Sequence, residues 1–146
     1  KDVEACIQGL EDGTIDIIVT DHAPHSEEEK AKGLAKAPFG IHGFETAFPL
    51  LYTKFVRTGR WTLAFLLRKM TLDPARVFKL PYGTLDVGAP ADVTLIDLEL
   101  EREVDPRTFL SQGRNTPFTG WKLQGWPVLT MVDGQVVWTE AQGLIR

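Results

Sequence analysis

Apolar side chains at helical spacing open the chain. In the first ten residues they are Val3, Cys6, Ile7 and Leu10. Three- and four-residue spacing of this kind predicts a helix, and the Asp12-Gly13 dipeptide that follows is a turn signal. Residues 15–20 (IDIIVT) are β-branched and almost continuously apolar, as in a strand covered on both faces of a parallel sheet. Helix, turn and buried strand together form the repeating unit of α/β folds.

Helical spacing continues from residue 44 to residue 79. Its apolar positions are Phe44, Phe48, Leu51 and Phe55. Pro49 interrupts this run, so we expect it in the first turn of the helix or at a bend. Thr62 is positioned to cap a helix over residues 63–70. Asp73 and Pro74 predict the N-cap and first position of a short helix that ends at Lys79.

Short β-like runs replace the helical pattern after Thr84. They include residues 93–96 and 128–132. The sequence Val-Asp-Gly-Gln at residues 132–135 joins two apolar runs and predicts a hairpin with a type I′ turn. We therefore divide the chain into a helical part, residues 1–81, and a β-rich part, residues 82–146.

Composition narrows the class of protein. The 146 residues, 43% of them hydrophobic and 25% charged, have ordinary globular composition. A whole (β/α)8 barrel needs about 250 residues, so this chain is too short to be one. The net charge of −4 argues against a nucleic-acid surface, and no apolar run approaches the ~20 residues of a membrane span.

The single cysteine and the first residue of the chain each lead to a further prediction, about cellular location and about a preceding segment. Cys6 lies among apolar residues, so we expect it to be buried and inert. Without a second cysteine the chain has no internal disulfide, which favours a reducing, cytoplasmic location. The chain starts at Lys1 within a predicted helix, so we expect that an N-terminal part precedes it.

Candidate chemistry begins where the predicted strand at residues 15–20 ends. Asp21, His22 and His25 follow it directly, and the active sites of α/β barrels lie at the carboxyl ends of their strands. A carboxylate and imidazoles can bind a divalent metal ion or transfer protons. The alternative is structural, since an aspartate after a strand is often a turn residue. Three such neighbours cannot complete a zinc sphere of about four ligands, so other ligands must come from elsewhere.

Three motifs resemble the last barrel segment of dihydroorotases, which are amidohydrolases. They are TDHAPH at residues 20–25, APFGI at residues 37–41 and GFET at residues 43–46. Residues 83–97 (GTLDVGAPADVTLID) and 114–137 (RNTPFTGWKLQGWPVLTMVDGQVV) resemble the small β domain of amidohydrolases, hydantoinases and allantoinases included. The resemblance implies an α/β fold class: the C-terminal segment of a (β/α)8 TIM barrel, incomplete in this chain, plus a small β-rich domain.

The resemblance also implies a reaction and a set of site residues. Dihydroorotases are zinc-dependent and reversibly cyclise N-carbamoyl-L-aspartate to L-dihydroorotate in pyrimidine biosynthesis. Asp21 matches the strand-8 aspartate of that family, which is a zinc ligand and the general acid/base. His25 matches a histidine that contacts the substrate carboxylate, and Phe39-Gly40 match a loop whose backbone holds the substrate. The other zinc ligands come from earlier strands, so we expect this chain alone to be inactive.

Four further polar residues lie in or near these motifs, and three of them have weaker expected roles. His22 either orients Asp21 or packs in a turn, and no role follows for His42. Glu45 is expected in the first turn of a helix, where the helix dipole favours a carboxylate. Asn115, in the NTPF sequence, is expected to fix a loop.

Other functions remain open at this point. One is a different cyclic amidohydrolase, such as a hydantoinase or an allantoinase. Another is a non-catalytic amidohydrolase-like protein that assembles with an active enzyme. If the chain belongs to a dihydroorotase, the resemblance implies that the protein binds a small-molecule substrate, forms a homo-oligomer and associates with aspartate transcarbamoylase.

Overall fold

Helices precede residue 80 and strands follow residue 84, as predicted. The computed structural model describes residues 1–145. The α-helices are α1 (Asp2–Asp12), α2 (Glu27–Lys30), α3 (Ala47–Leu51), α4 (Leu63–Met70) and α5 (Leu72–Val77), with a π-helical turn at Tyr52–Val56 and a 3-10 turn at Pro106–Thr108. The strands are β1 (Val93–Glu103), β2 (Lys122–Val132), β3 (Gln135–Thr139) and β4 (Gly143–Leu144). None of the helices within these residues is both long and apolar enough to cross a membrane.

Helix ends follow the sequence signals with one exception. Gly13 ends α1 in the left-handed conformation, with φ 84°. Thr62 caps α4 as predicted, because its Oγ1 accepts the backbone N–H of Phe65 at 3.1 Å. The prediction that Asp73 caps the next helix is wrong. That helix, α5, starts two residues earlier, at Leu72 with Thr71 as its N-cap, and it ends at Val77 rather than at Lys79. The Asp73 carboxylate instead accepts from Arg68 at 3.0 Å.

The predicted strand at residues 15–20 is also wrong. A strand is defined by hydrogen bonds to a neighbouring strand, and within residues 1–145 this segment bonds to helical residues instead. The Ile18 N–H donates to the Lys69 carbonyl at 3.1 Å. Lys69 is a buried residue, and its ammonium group donates to the carbonyls of Ile15 and Asp16 at 3.1 and 2.9 Å. The segment is therefore extended backbone whose carbonyls are hydrogen-bonded to a lysine side chain.

Cys6 is exposed, so the expectation of a buried cysteine is wrong. Helix α1 buries Gly9, where a Cβ atom would lie 3.1 Å from the Ile15 side chain. Val3 remains largely exposed. The apolar spacing of this segment therefore specifies a helix without specifying which face is covered.

The four strands form one sheet in the order β1-β2-β3-β4. Strands β2 and β3 are antiparallel, with Val132 paired to Gln135, and β4 pairs antiparallel with β3. Asp133 and Gly134 connect β2 and β3 with φ values of 49° and 76°. Positive φ at both turn positions is the type I′ geometry, so the predicted hairpin is confirmed.

The chain packs as two compact units. The first unit consists of Lys1–Val19, Gly59–Ile96 and the chain from Pro127 onward. In this unit Trp61 and Leu66 are buried. The indole N–H of Trp61 donates to Oε1 of Glu11 at 2.7 Å, and the same oxygen accepts from Nε of Arg60 at 2.7 Å.

The second unit consists of Thr20–Thr58 and Asp97–Trp126. Its apolar core contains Val104, Phe109, Leu123 and Trp126, with Leu50, Leu100 and Phe118 packed against them. The Trp126 indole N–H donates to the Leu123 carbonyl at 2.8 Å, which satisfies a buried donor. All candidate site residues lie within this unit.

Candidate active site

Asp21 presents an unengaged carboxylate. Its backbone has φ 45°, in the left-handed region that aspartate tolerates better than most residues. The side chain is exposed, and it makes no hydrogen bond or ion pair with any residue of the described chain. Strained backbone of this kind is concentrated at functional sites. Asp21 is therefore available to bind a ligand or to exchange a proton.

His22 fixes the backbone immediately after Asp21. Its Nδ1 accepts the backbone N–H groups of Gly43 and Phe44 at 3.1 and 3.3 Å. Its ring stacks on Phe44 with 3.8 Å between centroids. A ring nitrogen that accepts two N–H groups carries no proton, so neutral His22 has its proton on Nε2. This geometry fits both expected roles, because packing of the ring also fixes the position of Asp21.

His25 and the Phe39-Gly40 segment come together. Nε2 of His25 lies 2.9 Å from the Phe39 carbonyl oxygen, and since a carbonyl only accepts, Nε2 donates. Nδ1 lies 3.5 Å from Oε2 of Glu29. The imidazole therefore spans a backbone carbonyl on one side and a carboxylate on the other.

Gly40 occupies a position where no side chain fits. Its φ is 120°, and a Cβ atom there would lie 2.5 Å from Cβ of Ala23 and 2.9 Å from its carbonyl oxygen. Only glycine has access to such a conformation without a large steric cost. Phe39 next to it is 94% exposed. Within residues 1–145, the backbone N–H groups of Phe39 and Gly40 have no hydrogen-bond acceptor, so two donors are free.

His42, which is buried, lies next to Glu45, which is half-buried. Nε2 of His42 lies 2.9 Å from Oε2 of Glu45 without the alignment of a hydrogen bond. Burial lowers the pKa of His42, and the Glu45 carboxylate opposes that effect in part. Glu45 lies two residues ahead of α3 rather than in its first turn, and its carboxylate accepts the Ser111 N–H at 2.9 Å. The expected helix-dipole role of Glu45 is therefore replaced by a link to a distant loop.

Lys30 and Asn115 hold the same loop. Nζ of Lys30 donates to the carbonyls of Pro38 and Gly40, both at 3.0 Å. Asn115 fixes the loop as predicted, since its Nδ2 donates to the Gly40 carbonyl at 3.1 Å. Sequence reasoning missed Lys30, because it belongs to a charged run, EEEK, that indicates only a solvated helical turn.

Metal-binding capacity depends on how many ligands converge. Within residues 1–145, no group of three His, Cys, Asp or Glu side chains is placed to hold a metal ion. A catalytic zinc ion takes about three protein ligands. Asp21 offers one carboxylate, so the residues present do not fit a zinc site by themselves.

Known proteins resemble nearly the whole chain. The sequence model of the Amidohydrolase family matches residues 1–137. A dihydroorotase of Halalkalibacterium halodurans is 63% identical over 142 residues, 97% of this chain and 33% of that protein. A dihydroorotase of Brevibacillus brevis is 62% identical over 138 residues, 94% of this chain and 32% of that protein. This chain therefore spans about one third of the length of these curated relatives.

The solved structures supply a match in fold. An L-hydantoinase (dihydropyrimidinase) from Arthrobacter aurescens superposes with a TM-score of 0.86 at 38% identity. The superposition covers 94% of this chain and 32% of that enzyme. Sequence and fold thus point to the same group of proteins.

Proposed function

The chain belongs to the amidohydrolase family, and from that premise we propose that it forms the C-terminal third of a dihydroorotase. The enzyme would reversibly cyclise N-carbamoyl-L-aspartate to L-dihydroorotate in pyrimidine biosynthesis. The observation that carries the proposal is the contact between His25 and the Phe39 carbonyl, which joins the TDHAPH and APFGI motifs, two of the three that resemble dihydroorotases. Residues 1–81 would complete a (β/α)8 barrel, and residues 82–146 would belong to a small β domain.

Asp21 would act as the proton carrier. In ring opening, its carboxylate would accept a proton from the attacking water and deliver it to the leaving ring nitrogen. In ring closure, it would act in the opposite sense. The exposed, unengaged carboxylate supports this role, because a general base needs access to the proton that it takes.

Zinc would lower the pKa of a bound water in such an enzyme. Since this chain does not bring three candidate ligands together, we propose that Asp21 is the single ligand that it contributes. The other ligands would come from barrel strands outside this chain. The isolated chain is then expected neither to bind zinc tightly nor to turn over dihydroorotate.

His25, Phe39 and Gly40 would bind the substrate. Since Nε2 of His25 donates to the Phe39 carbonyl, Nδ1 would be the ring nitrogen that faces the substrate carboxylate, in place of the Glu29 carboxylate that now lies 3.5 Å from it. The free N–H groups of Phe39 and Gly40 would donate to substrate oxygens. Gly40 supports this arrangement because the absent side chain permits close approach of a ligand.

A substrate panel tests the proposal against its nearest alternative. The L-hydantoinase match favours a hydantoinase as the second candidate. Full-length enzyme containing this chain should turn over L-dihydroorotate far faster than hydantoins or allantoin. Preference for hydantoin or allantoin would contradict the assignment. Absence of any turnover by metal-replete protein would instead favour a non-catalytic assembly partner.

Assembly and location are proposed on the same basis. We expect a cytoplasmic homo-oligomer that also associates with aspartate transcarbamoylase. Light scattering after size exclusion, with and without that enzyme, measures both associations. A monomer that does not co-elute with aspartate transcarbamoylase would contradict them.

A further inference from the structure

We propose that Lys30 and Asn115 are positioning residues that together aim the backbone N–H groups of the substrate loop. The substrate loop is defined here as residues 37–41. This inference rests on the proposed function, which gives those N–H groups a ligand. Neither residue would touch the substrate, since both act through backbone carbonyls of the loop.

Peptide planarity is the physical basis. Each peptide unit holds its carbonyl and the following N–H rigidly in one plane, pointing in opposite directions. Lys30 donates to the Pro38 carbonyl at 3.0 Å, so it also sets the direction of the Phe39 N–H. His25 donates to the Phe39 carbonyl at 2.9 Å and therefore sets the direction of the Gly40 N–H. The directions of the free Phe39 and Gly40 N–H groups are thus set by the hydrogen bonds that hold the carbonyls on the opposite side of the same peptide units.

Asn115 holds His25 and the loop in register. Its Oδ1 accepts the His25 backbone N–H at 3.2 Å, and its Nδ2 donates to the Gly40 carbonyl at 3.1 Å. Its own carbonyl accepts the His42 N–H at 2.8 Å. An asparagine side chain has a donor and an acceptor side by side, which no aliphatic residue of similar size provides.

The Lys30 and Asn115 side chains, called clamps here, both bind the same carbonyl oxygen. The Gly40 carbonyl oxygen accepts from Lys30 at 3.0 Å as well as from Asn115. The segment that contains Asn115 also lies close against Pro24, the neighbour of His25, because a Cβ at Gly113 would lie 2.5 Å from Cβ of Pro24. Small shifts of the backbone are therefore restricted. Loss of the Lys30 side chain would leave the Pro38 carbonyl without its donor, and loss of the Asn115 side chain would leave the His25 N–H without its acceptor.

Paired lysine variants of the full-length enzyme test the inference. Lys30→Met removes the clamp, whereas Lys32→Met removes the same charge from an exposed side chain nearby that makes no hydrogen bond within residues 1–145. We expect Lys30→Met and Asn115→Ala each to raise the KM for dihydroorotate about 3- to 10-fold, the value of one or two hydrogen bonds. We expect kcat to change less than about twofold, since loop binding is shared by ground and transition states. Lys30→Arg should restore most of the loss.

Trypsin cleavage after Lys36 is a second measurement that needs no activity. It should be faster in Lys30→Met and Asn115→Ala than in Lys32→Met, because the loop loses its anchors. If Lys30→Met fails to fold, Asn115→Asp, which keeps the acceptor and loses the donor, carries the same test. Equal KM values and cleavage rates for the Lys30 and Lys32 variants would overturn the inference. A parent enzyme inactive on dihydroorotate would instead overturn the proposed function, and the cleavage rates alone would then decide the clamp.

Discussion

Two regions of this chain each contain an aspartate in the same left-handed conformation, and the comparison shows how differently the two regions are built. Asp133, at φ 49°, lies in the hairpin between β2 and β3, and Asp21, at φ 45°, opens the loop of residues 21–43. The Asp133 turn is completed by its neighbour Gly134, with φ 76°. Asp21 is followed by His22, whose ring takes the N–H groups of Gly43 and Phe44.

The difference lies in where the stabilising partners are found in the sequence. The conformation of the hairpin is predicted by four consecutive residues, whose turn geometry matches strand twist, and hydrogen bonds from Asp133 to Asp92 and from Gly134 to Ala91 add to it. The loop is fixed by partners such as Asn115, which is 90 residues from His25. Both carboxylates are exposed, so the distinction lies in what surrounds them: Asp133 occupies a two-residue hairpin turn, whereas Asp21 opens a loop that brings His22, His25 and Gly40 together.

Substitution of each aspartate by asparagine gives the largest expected contrast. In the full-length enzyme, Asp21→Asn should lower kcat by about 10²- to 10⁴-fold, the range of general acid–base catalysis. Asp133→Asn should leave kcat unchanged, because asparagine also suits a type I′ turn. Steady-state kinetics with metal analysis of the same samples measures this. Near-normal kcat for Asp21→Asn at full metal occupancy would make Asp21 a turn residue only.

Paired glycine substitutions probe the same contrast in stability. Gly134→Ala meets only Ala91, at 3.9 Å, so its cost should be that of left-handed backbone, about 1 kcal/mol. Gly40→Ala adds overlap with Ala23 at 2.5 Å, and we expect at least about 2–3 kcal/mol. Denaturant titrations of the two variants measure the difference. Equal losses of unfolding free energy in the two variants would show that the backbone at Gly40 can shift to accommodate a side chain.

His25→Ala sharpens the comparison within the loop itself. Loss of the imidazole should raise KM about 10-fold with little change in kcat, because a carboxylate contact is uniform binding. This pattern is the reverse of that expected for Asp21→Asn, four residues earlier. Kinetics over a range of substrate concentrations distinguishes the two. A fall in kcat alone would place His25 in the chemical step.

The smallest effect concerns pH. Burial keeps the pKa of His42 below its ordinary value in the folded state, with His22 and Arg114 acting in the same direction and Glu45 against them. The unfolded chain therefore takes up the proton first as pH falls. Stability from this group is complete above about pH 6.5 and declines below it by at most about 1.4 kcal/mol per pH unit. Unfolding free energies at pH 7.5 and 5.5 should differ less in His42→Gln than in the parent, and an identical pH dependence would contradict this.

Local signals predicted a large part of the fold. The start of α4 at Thr62, the end of α1 at Gly13 and the turn at Asp133-Gly134 each depend on a few neighbouring residues. Caps and turns are favoured by residues within about four positions of one another, so a short sequence window is enough to predict them. The grouping of His25 with Phe39-Gly40 came from motif resemblance, and their catalytic and binding roles remain predictions.

Tertiary structure decided what depends on distant partners. Residues 15–20 have the composition of a strand, but they bond to Lys69 and α4 because strand pairing needs a neighbour that composition does not supply. Apolar spacing predicts a helix but does not tell which of its faces another element covers. The exposure of Cys6 therefore did not follow from the sequence pattern. Lys30 becomes a clamp only because the loop folds back over it. Long-range hydrogen bonds of this kind join groups that no local pattern relates, so only the folded chain reveals them.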